Sequence, residues 1–291
     1  MSTTSFEFLV KPENNGSTLR TFLRKACGIT ARSMTLLKYS EGGIYRKDAL
    51  IKAHEIVYAG DIITLKLPSE QNDITPVEGE LSILYEDDYL LVVNKPDDMP
   101  VHPTKIHQLD TLANIVSFYQ QSRGESCVFR ALNRLDKDTS GCVMIAKDRL
   151  SYALVKDSIR KTYIAVCEGM IEDEDCIDRP IGLENGSKMK RTVREDGAKA
   201  ITHYQPLSSG NGHTLLKLWL ESGRTHQIRC HMSSIGHSLA GDDLYGGSRK
   251  LISRQALHCY ELSFIHPIKH ETIHLTTDIP NEFLQIIKEG V

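Results

Sequence analysis

The apolar positions near the start of the chain recur with helical spacing. Leu19, Phe22, Leu23 and Ala26 stand at i, i+3, i+4 and i+7 and share one face, with Ser17 or Thr18 available as N-cap and Gly28 as a stop. Thr30 is placed to cap a second helix, carrying Met34 and Leu37, that ends at Gly42-Gly43. A short strand at Ile44-Tyr45, a turn at Arg46-Lys47 and an alternating strand through Ile63, Leu65 and Leu67 after the Gly60-Asp61 turn complete a small unit of two helices on a few strands. Residues 68–80, PSEQNDITPVEGE, are polar, contain two prolines and show no period, which predicts a linker. Beyond them the pattern changes. Leu90 to Val93 and Cys142 to Ala146 are unbroken apolar runs suited to strands buried on both faces, Leu150 to Ile159 reads as a helix, and Tyr163 to Val166 reads as a strand. Interspersed strands and helices without a phosphate-binding glycine loop predict an α+β fold with a mixed or antiparallel sheet.

Composition changes this picture little, but charge changes it more. With 291 residues, 40% hydrophobic and 25% charged, the chain is long and apolar enough for one large folded domain or two unequal ones. No run is long enough to span a bilayer, and the N-terminus lacks the basic and apolar regions of a secretion signal, so a cytoplasmic protein is expected. Seven scattered cysteines without a CxxC pair exclude a disulfide scaffold or a zinc ribbon and fit a reducing compartment. The net charge of −3 conceals an asymmetry. Between Gly16 and Lys47 seven basic residues face one acidic residue, a balance of +6 that leaves −9 for the remainder. Arg20 and Arg24, four apart, emerge together from the first helix. Such a cluster fits either a solvated helix face or a surface that meets phosphates.

Several segments could carry chemistry. His270-Glu271-Thr272-Ile273-His274 matches the zinc-peptidase pattern, which works only on a helix. Pro267 before it and the β-branched residues within it predict a strand, where the glutamate would point away from the histidines, so no metal site is expected. Ser187 to Lys190 matches S-x-x-K without the companion motifs of that hydrolase class and reads as exposed loop. Asn133 to Gly141 (NRLDKDTSG) is a polar turn feeding an apolar strand. Asp136 there could be a held nucleophile or base, or a turn-capping carboxylate. Gly223 to His231 (GRTHQIRCH), followed by Gly241-Asp242-Asp243, is too polar for a plain core helix and could pair a carboxylate, grip a phosphate or coat a surface.

Together these segments resemble the RluA/RluD-type RNA pseudouridine synthases. The resemblance rests on NRLDKDTSG, NKPDDMPVHPT (Asn94 to Thr104), KTYIAVCEG (Lys161 to Gly169), GAKAITHY (Gly197 to Tyr204) and GRTHQIRCHMSSIGHSLAGDDLYGG, in the family's order from about residue 82 onward. TLRTFLRK, TARSMTLLKYSEGGIYRK and AGDIITLKL resemble the small αL-type RNA-binding domain named after ribosomal protein S-four. The organisation implied is an S-four-like domain over residues 1–67 (core 17–67), a linker over 68–80 and a catalytic domain over 81–291. By the resemblance, Asp136 does the covalent chemistry, Arg229 pairs with it, Tyr163 stacks on the target base, and Arg134 fills the space left by a flipped-out base. Arg32, Ser33, Arg46 and Lys47 would hold the RNA backbone. Isomerisation of uridine needs no cofactor and no metal. The implied partner is RNA, foremost large-subunit (23S) ribosomal RNA with tRNA as the other candidate, and no membrane, for a monomeric enzyme. Two positions depart from the family: Asn133 stands where it usually has His, and Asp98 where it has Gly. The competing readings are a catalytically silent RNA-binding or ribosome assembly factor and, less favoured by the strand-like HETIH, a zinc hydrolase.

Overall fold

The computed structural model describes residues 5–39, 42–68, 70, 72–125 and 128–288. The chain begins with β1 (Ser5–Leu9), α1 (Leu19–Lys25), α2 (Ala31–Tyr39), β2 (Gly43–Arg46), β3 (Ala49–Leu50) and β4 (Ile62–Lys66). The strands form an antiparallel sheet in the order β1-β4-β2-β3. Thr18 caps α1 by accepting the Thr21 amide at 3.2 Å, and Thr30 accepts the Ser33 amide at 3.1 Å at the start of α2. The turn lies one residue later than the pattern suggests. Arg46 still pairs with Ala49, and Lys47 and Asp48 both have positive φ (49° and 65°), the geometry of a tight hairpin whose twist matches its strands. β1 was not foreseen. Its Phe6 and Phe8 alternate inward and join Leu19, Phe22, Ile63 and Leu65 in one core.

The larger body adds β5 (Ile83–Glu86), β6 (Leu90–Lys95), α3 (Leu112–Ser122), β7 (Arg130–Ala131), β8 (Ser140–Ala146), α4 (Arg149–Val155) and β9 (Arg160–Glu168). It continues with β10 (Asp175–Asp178), β11 (Ile181–Leu183), β12 (Arg191–Val193), β13 (Ile201–Gly210), β14 (His213–Leu220) and α5 (Gln227–Ser234). It closes with β15 (Leu257–Ile265), β16 (Thr272–Thr276) and α6 (Asn281–Lys288). The main sheet runs β10-β13-β14-β9-β15-β8-β6-β5, with β16 beside β15 and β7 beside β8. Every pairing in it is antiparallel except β15 with β8, so the fold is α+β with a mixed sheet. β6 and β8, the two unbroken apolar runs, lie side by side and are buried on both faces. α4 stops four residues short of Ile159, because the amide and hydroxyl of Ser158 both turn back onto the Val155 carbonyl at 2.9 Å. No helix among the described residues is long and apolar enough to cross a membrane.

The segment between the two sheets has no regular structure but is not a free tether. Asn72 Nδ2 donates to Ser117 Oγ (2.9 Å), Asn114 Nδ2 to the Thr75 carbonyl (2.8 Å), and the Val77 amide to the Asn114 carbonyl (3.1 Å), which straps residues 72–77 to α3. The core of the small unit also reaches Leu150 of α4 and packs against Tyr89, Leu154 and Ile268. Polarity and two prolines signal absent periodicity, but they do not exclude a strap held to a helix by hydrogen bonds.

Neither decoy motif has the structure its pattern requires. His270 sits in a left-handed turn (φ 57°) and His274 in β16, so the two do not share a helical face. Ser187 closes the turn between β11 and β12 by accepting the amides of Met189 (3.1 Å) and Lys190 (2.9 Å).

Candidate active site

Asp136 lies on the loop between β7 and β8, immediately before the most buried strand of the sheet. The loop is held from below. Lys95, fully buried at the end of β6, donates to the carbonyls of Lys137 (3.0 Å), Pro96 (2.7 Å) and Met99 (2.7 Å). Burial drives the Lys95 amine down to about 7, although three carbonyl acceptors suit the three protons of its charged form. From β15's approach, the Arg254 guanidinium donates to the Asp138 carbonyl (3.2 Å) and Gln255 Nε2 to Thr139 Oγ1 (3.2 Å). The parallel β15–β8 pairing brings these two residues behind the loop.

Arg229, on α5, donates from Nη1 to Asp136 Oδ2 at 2.9 Å. Its Nε and Nη2 form a two-pronged contact with Asp242 Oδ2 (2.7 Å) and Oδ1 (2.8 Å). Asp242 is fully buried, and the guanidinium also lies 5.1 Å from the centre of the Tyr245 ring. Burial opposes the charge on Arg229, but the two carboxylates more than offset it and raise its pKa. α5 is thus a helix whose Gln227, Arg229 and His231 side chains are buried and paired, which explains why its pattern does not read as a core helix.

His226 caps α5 in the left-handed region (φ 54°). The Tyr245 hydroxyl accepts the Arg191 amide at 2.8 Å, so its proton points to His226 Nδ1 at 3.1 Å. That leaves the ring proton on Nε2, 3.7 Å from Asp136 Oδ2. Burial lowers the His226 pKa, which favours this neutral ring. Tyr163, on β9, is 6% exposed, and burial pushes its hydroxyl far above the ordinary tyrosine value, so it is a neutral phenol. A cleft of about 560 Å³ gathers Asp136, Tyr163, Lys161, Arg224 and His226, with Arg134 exposed beside it.

The structure therefore brings Asp136, Tyr163, Arg229 and Arg134 together. Ser33, Arg46 and Lys47 lie elsewhere. Ser33 is buried with its hydroxyl on Thr30 Oγ1 (2.9 Å), and it lines a groove that also contains Arg130 and Arg149. Arg46 bonds the Ile56 carbonyl (3.0 Å) and Asp61 Oδ2 (3.2 Å), while Lys47 is exposed at the hairpin turn. The side chain of Arg32 lies outside the described residues. Both departures from the family pattern have a structural account. Asn133 Nδ2 donates to the Cys142 carbonyl (2.9 Å) and its Oδ1 accepts the Met144 amide (2.9 Å), so its amide is engaged by β8. Asp98 sits at φ 53°, where glycine is favoured, and its carboxylate pairs with Lys137 Nζ at 2.6 Å.

Asp242, His226 and Lys161 were not singled out as site residues. A local signal for Asp242 exists in the preceding glycine. At φ 76°, a Cβ on Gly241 would lie 1.9 Å from the Arg254 carbonyl oxygen, so only glycine lets the chain turn Asp242 inward here.

Comparison with known proteins bears on this geometry. Residues 89–234 match the RNA pseudouridylate synthase family. The chain is similar to the RNA pseudouridine synthase YhcT of Bacillus subtilis, 39% identical over 242 residues and 80% of each chain. It is similar to the ribosomal large subunit pseudouridine synthase D of Vibrio cholerae, 33% identical over 259 residues, 82% of this chain and 80% of the other. Its fold is similar to that of human RNA pseudouridylate synthase domain containing 1, with a TM-score of 0.57 and 26% identity over 69% of this chain and 84% of that one. The chain belongs to the RNA pseudouridylate synthase family. It is an RNA pseudouridine synthase, an isomerase whose substrate is RNA.

Proposed function

We propose that the protein isomerises specific uridines of large-subunit (23S) ribosomal RNA, with Asp136 as the residue that does the covalent chemistry. The observation that carries this reading is a carboxylate facing a substrate-sized cleft and oriented by an arginine whose own charge is already shared with Asp242. In the reaction the N1–C1′ bond breaks, the base turns, a C5–C1′ bond forms, C5 loses its proton and N1 gains one. Nothing is oxidised and no group leaves the RNA. A uridine within a helix must leave the stack to reach Asp136, and Arg134 is exposed beside the cleft to occupy the gap. Tyr163 supplies the face on which the base stacks and a neutral phenol for proton transfer. The ribosomal substrate is supported by relatives named as ribosomal large subunit enzymes. Pseudouridine mapping of 23S RNA and tRNA from cells with and without the protein tests it. One or more 23S positions should revert to uridine, and loss confined to tRNA would overturn the ribosomal assignment.

The small N-terminal unit is read as an S-four-like RNA-binding domain of residues 1–67 that supplies affinity, in a monomeric cytoplasmic enzyme. Arg20 and Arg24 are exposed on α1, and Lys47 is exposed at the hairpin turn. Neutralising all three with Gln in the full chain should weaken RNA binding. The slope of log affinity against log salt should flatten by about 0.7–0.9 for each phosphate that is no longer neutralised. The maximal single-turnover rate should not change. A variant with the parent's affinity and slope would refute a binding role for these three residues.

A further inference from the structure

Lys161 begins the inward-facing part of β9 two residues before Tyr163, so the period of the strand sets both side chains on one face. Both line the cleft that holds Asp136. Among the described residues no hydrogen bond or ion pair reaches Lys161 Nζ. Other lysines around the sheet differ. Lys95 has three carbonyls, Lys137 has Asp98, and Lys147 has Glu86 and Glu125. The one carboxylate oxygen of Asp136 that meets a cation is held by Arg229. A half-buried ammonium without a partner is costly, and burial lowers the Lys161 pKa accordingly. The Nζ lies beside Gly223 at the cleft wall, where a Cβ would be 3.9 Å away, so the amine has room for a ligand.

We propose that Lys161 is a catalytic residue that touches the uracil ring of the target nucleotide and stabilises the negative charge the ring takes up when its bond to ribose is broken. This rests on the reading of the Asp136 cleft as the uridine site. When the N1–C1′ bond breaks, its electron pair leaves with the base and is delocalised over N1, O2 and O4. Bond formation between C5 and C1′ and loss of the C5 proton then discharge it. Attack of the carboxylate at C6 would also place charge on O4, so an adjacent cation serves any of these routes. Lys161 shares its strand face with the buried Tyr163, whereas Arg134 is exposed at the cleft, where it is placed to occupy the gap left by the base. A fixed cation at a site of developing charge contributes most where water is excluded.

The test uses full-length protein and an unmodified transcript carrying tritium at C5 of uridine, either 23S RNA or tRNA, whichever the parent converts. Lys161→Met should slow tritium release at saturating RNA by about 10²–10³-fold. Its RNA affinity and salt slope should stay those of the parent. Its thermal midpoint should not fall, since an unpaired desolvated charge has been removed. Lys161→Arg should recover much of the rate. A Met variant as fast as the parent overturns the proposal. A variant that loses only affinity and salt slope also overturns it, by placing the amine on a phosphate. So does a rate loss with a lowered midpoint that Arg does not restore. Asp136→Asn run in parallel separates the two readings. If that variant turns over, the cleft is not the uridine site, and if it is inert while Lys161→Met is fast, only the role of Lys161 fails.

Discussion

Asp136→Asn is expected to lower pseudouridine formation by about 10⁴-fold or more, the scale at which an enzyme loses its covalent group. RNA binding and stability should stay close to those of the parent. The expectation follows from how charge is distributed around Arg229. Asparagine keeps the shape of the side chain and an oxygen for Nη1, while Asp242 continues to bond the guanidinium through Nε and Nη2. No buried cation is stranded by the change. Affinity for structured RNA comes mainly from phosphate contacts elsewhere on the surface. Single-turnover tritium release from C5 and equilibrium RNA binding measure the two quantities separately. Turnover by an Asp136→Asn preparation free of parent enzyme would remove Asp136 from the chemistry.

Asp242→Ala should have the reverse character, with a large loss of stability by about 3–5 kcal/mol, as expected for removing one partner of a buried ion pair. Asp242 is fully buried, and both of its oxygens accept from Arg229, which is itself 7% exposed. Without them the guanidinium keeps only its single bond to Asp136 Oδ2, and two of its donors lose their partners in a site closed to water. Activity should fall as well, because a loosened Arg229 no longer fixes the carboxylate. Urea unfolding of parent and variant, compared at equal slope, reads the stability change. A loss below about 1 kcal/mol, the range of an exposed ion pair, would mean that Asp242 does not anchor Arg229.

What could be read along the chain was local in origin. The α1 face, its Thr18 cap and the buried runs of β6 and β8 all follow from side chains within a few residues of one another. Asp136 and Arg229 were legible for a different reason, since each sits in a motif that resembles a known family. Their contact spans 93 residues, and no periodicity carries information over that distance. The ends of elements were decided more narrowly, as when Ser158 closes α4 short of Ile159.

By itself, then, the sequence determined α1, α2 and the strands β2, β4, β6, β8 and β9, and that the fold is α+β, because capping, period and turn geometry act between near neighbours. Only the tertiary structure decided that Asp242 is buried against Arg229, that residues 72–77 are strapped to α3, and that Lys161 has no partner in the cleft among the described residues. Each of these depends on which distant groups the sheet brings within hydrogen-bonding distance. Burial and pairing are properties of that assembled surrounding, not of the residue or its neighbours along the chain.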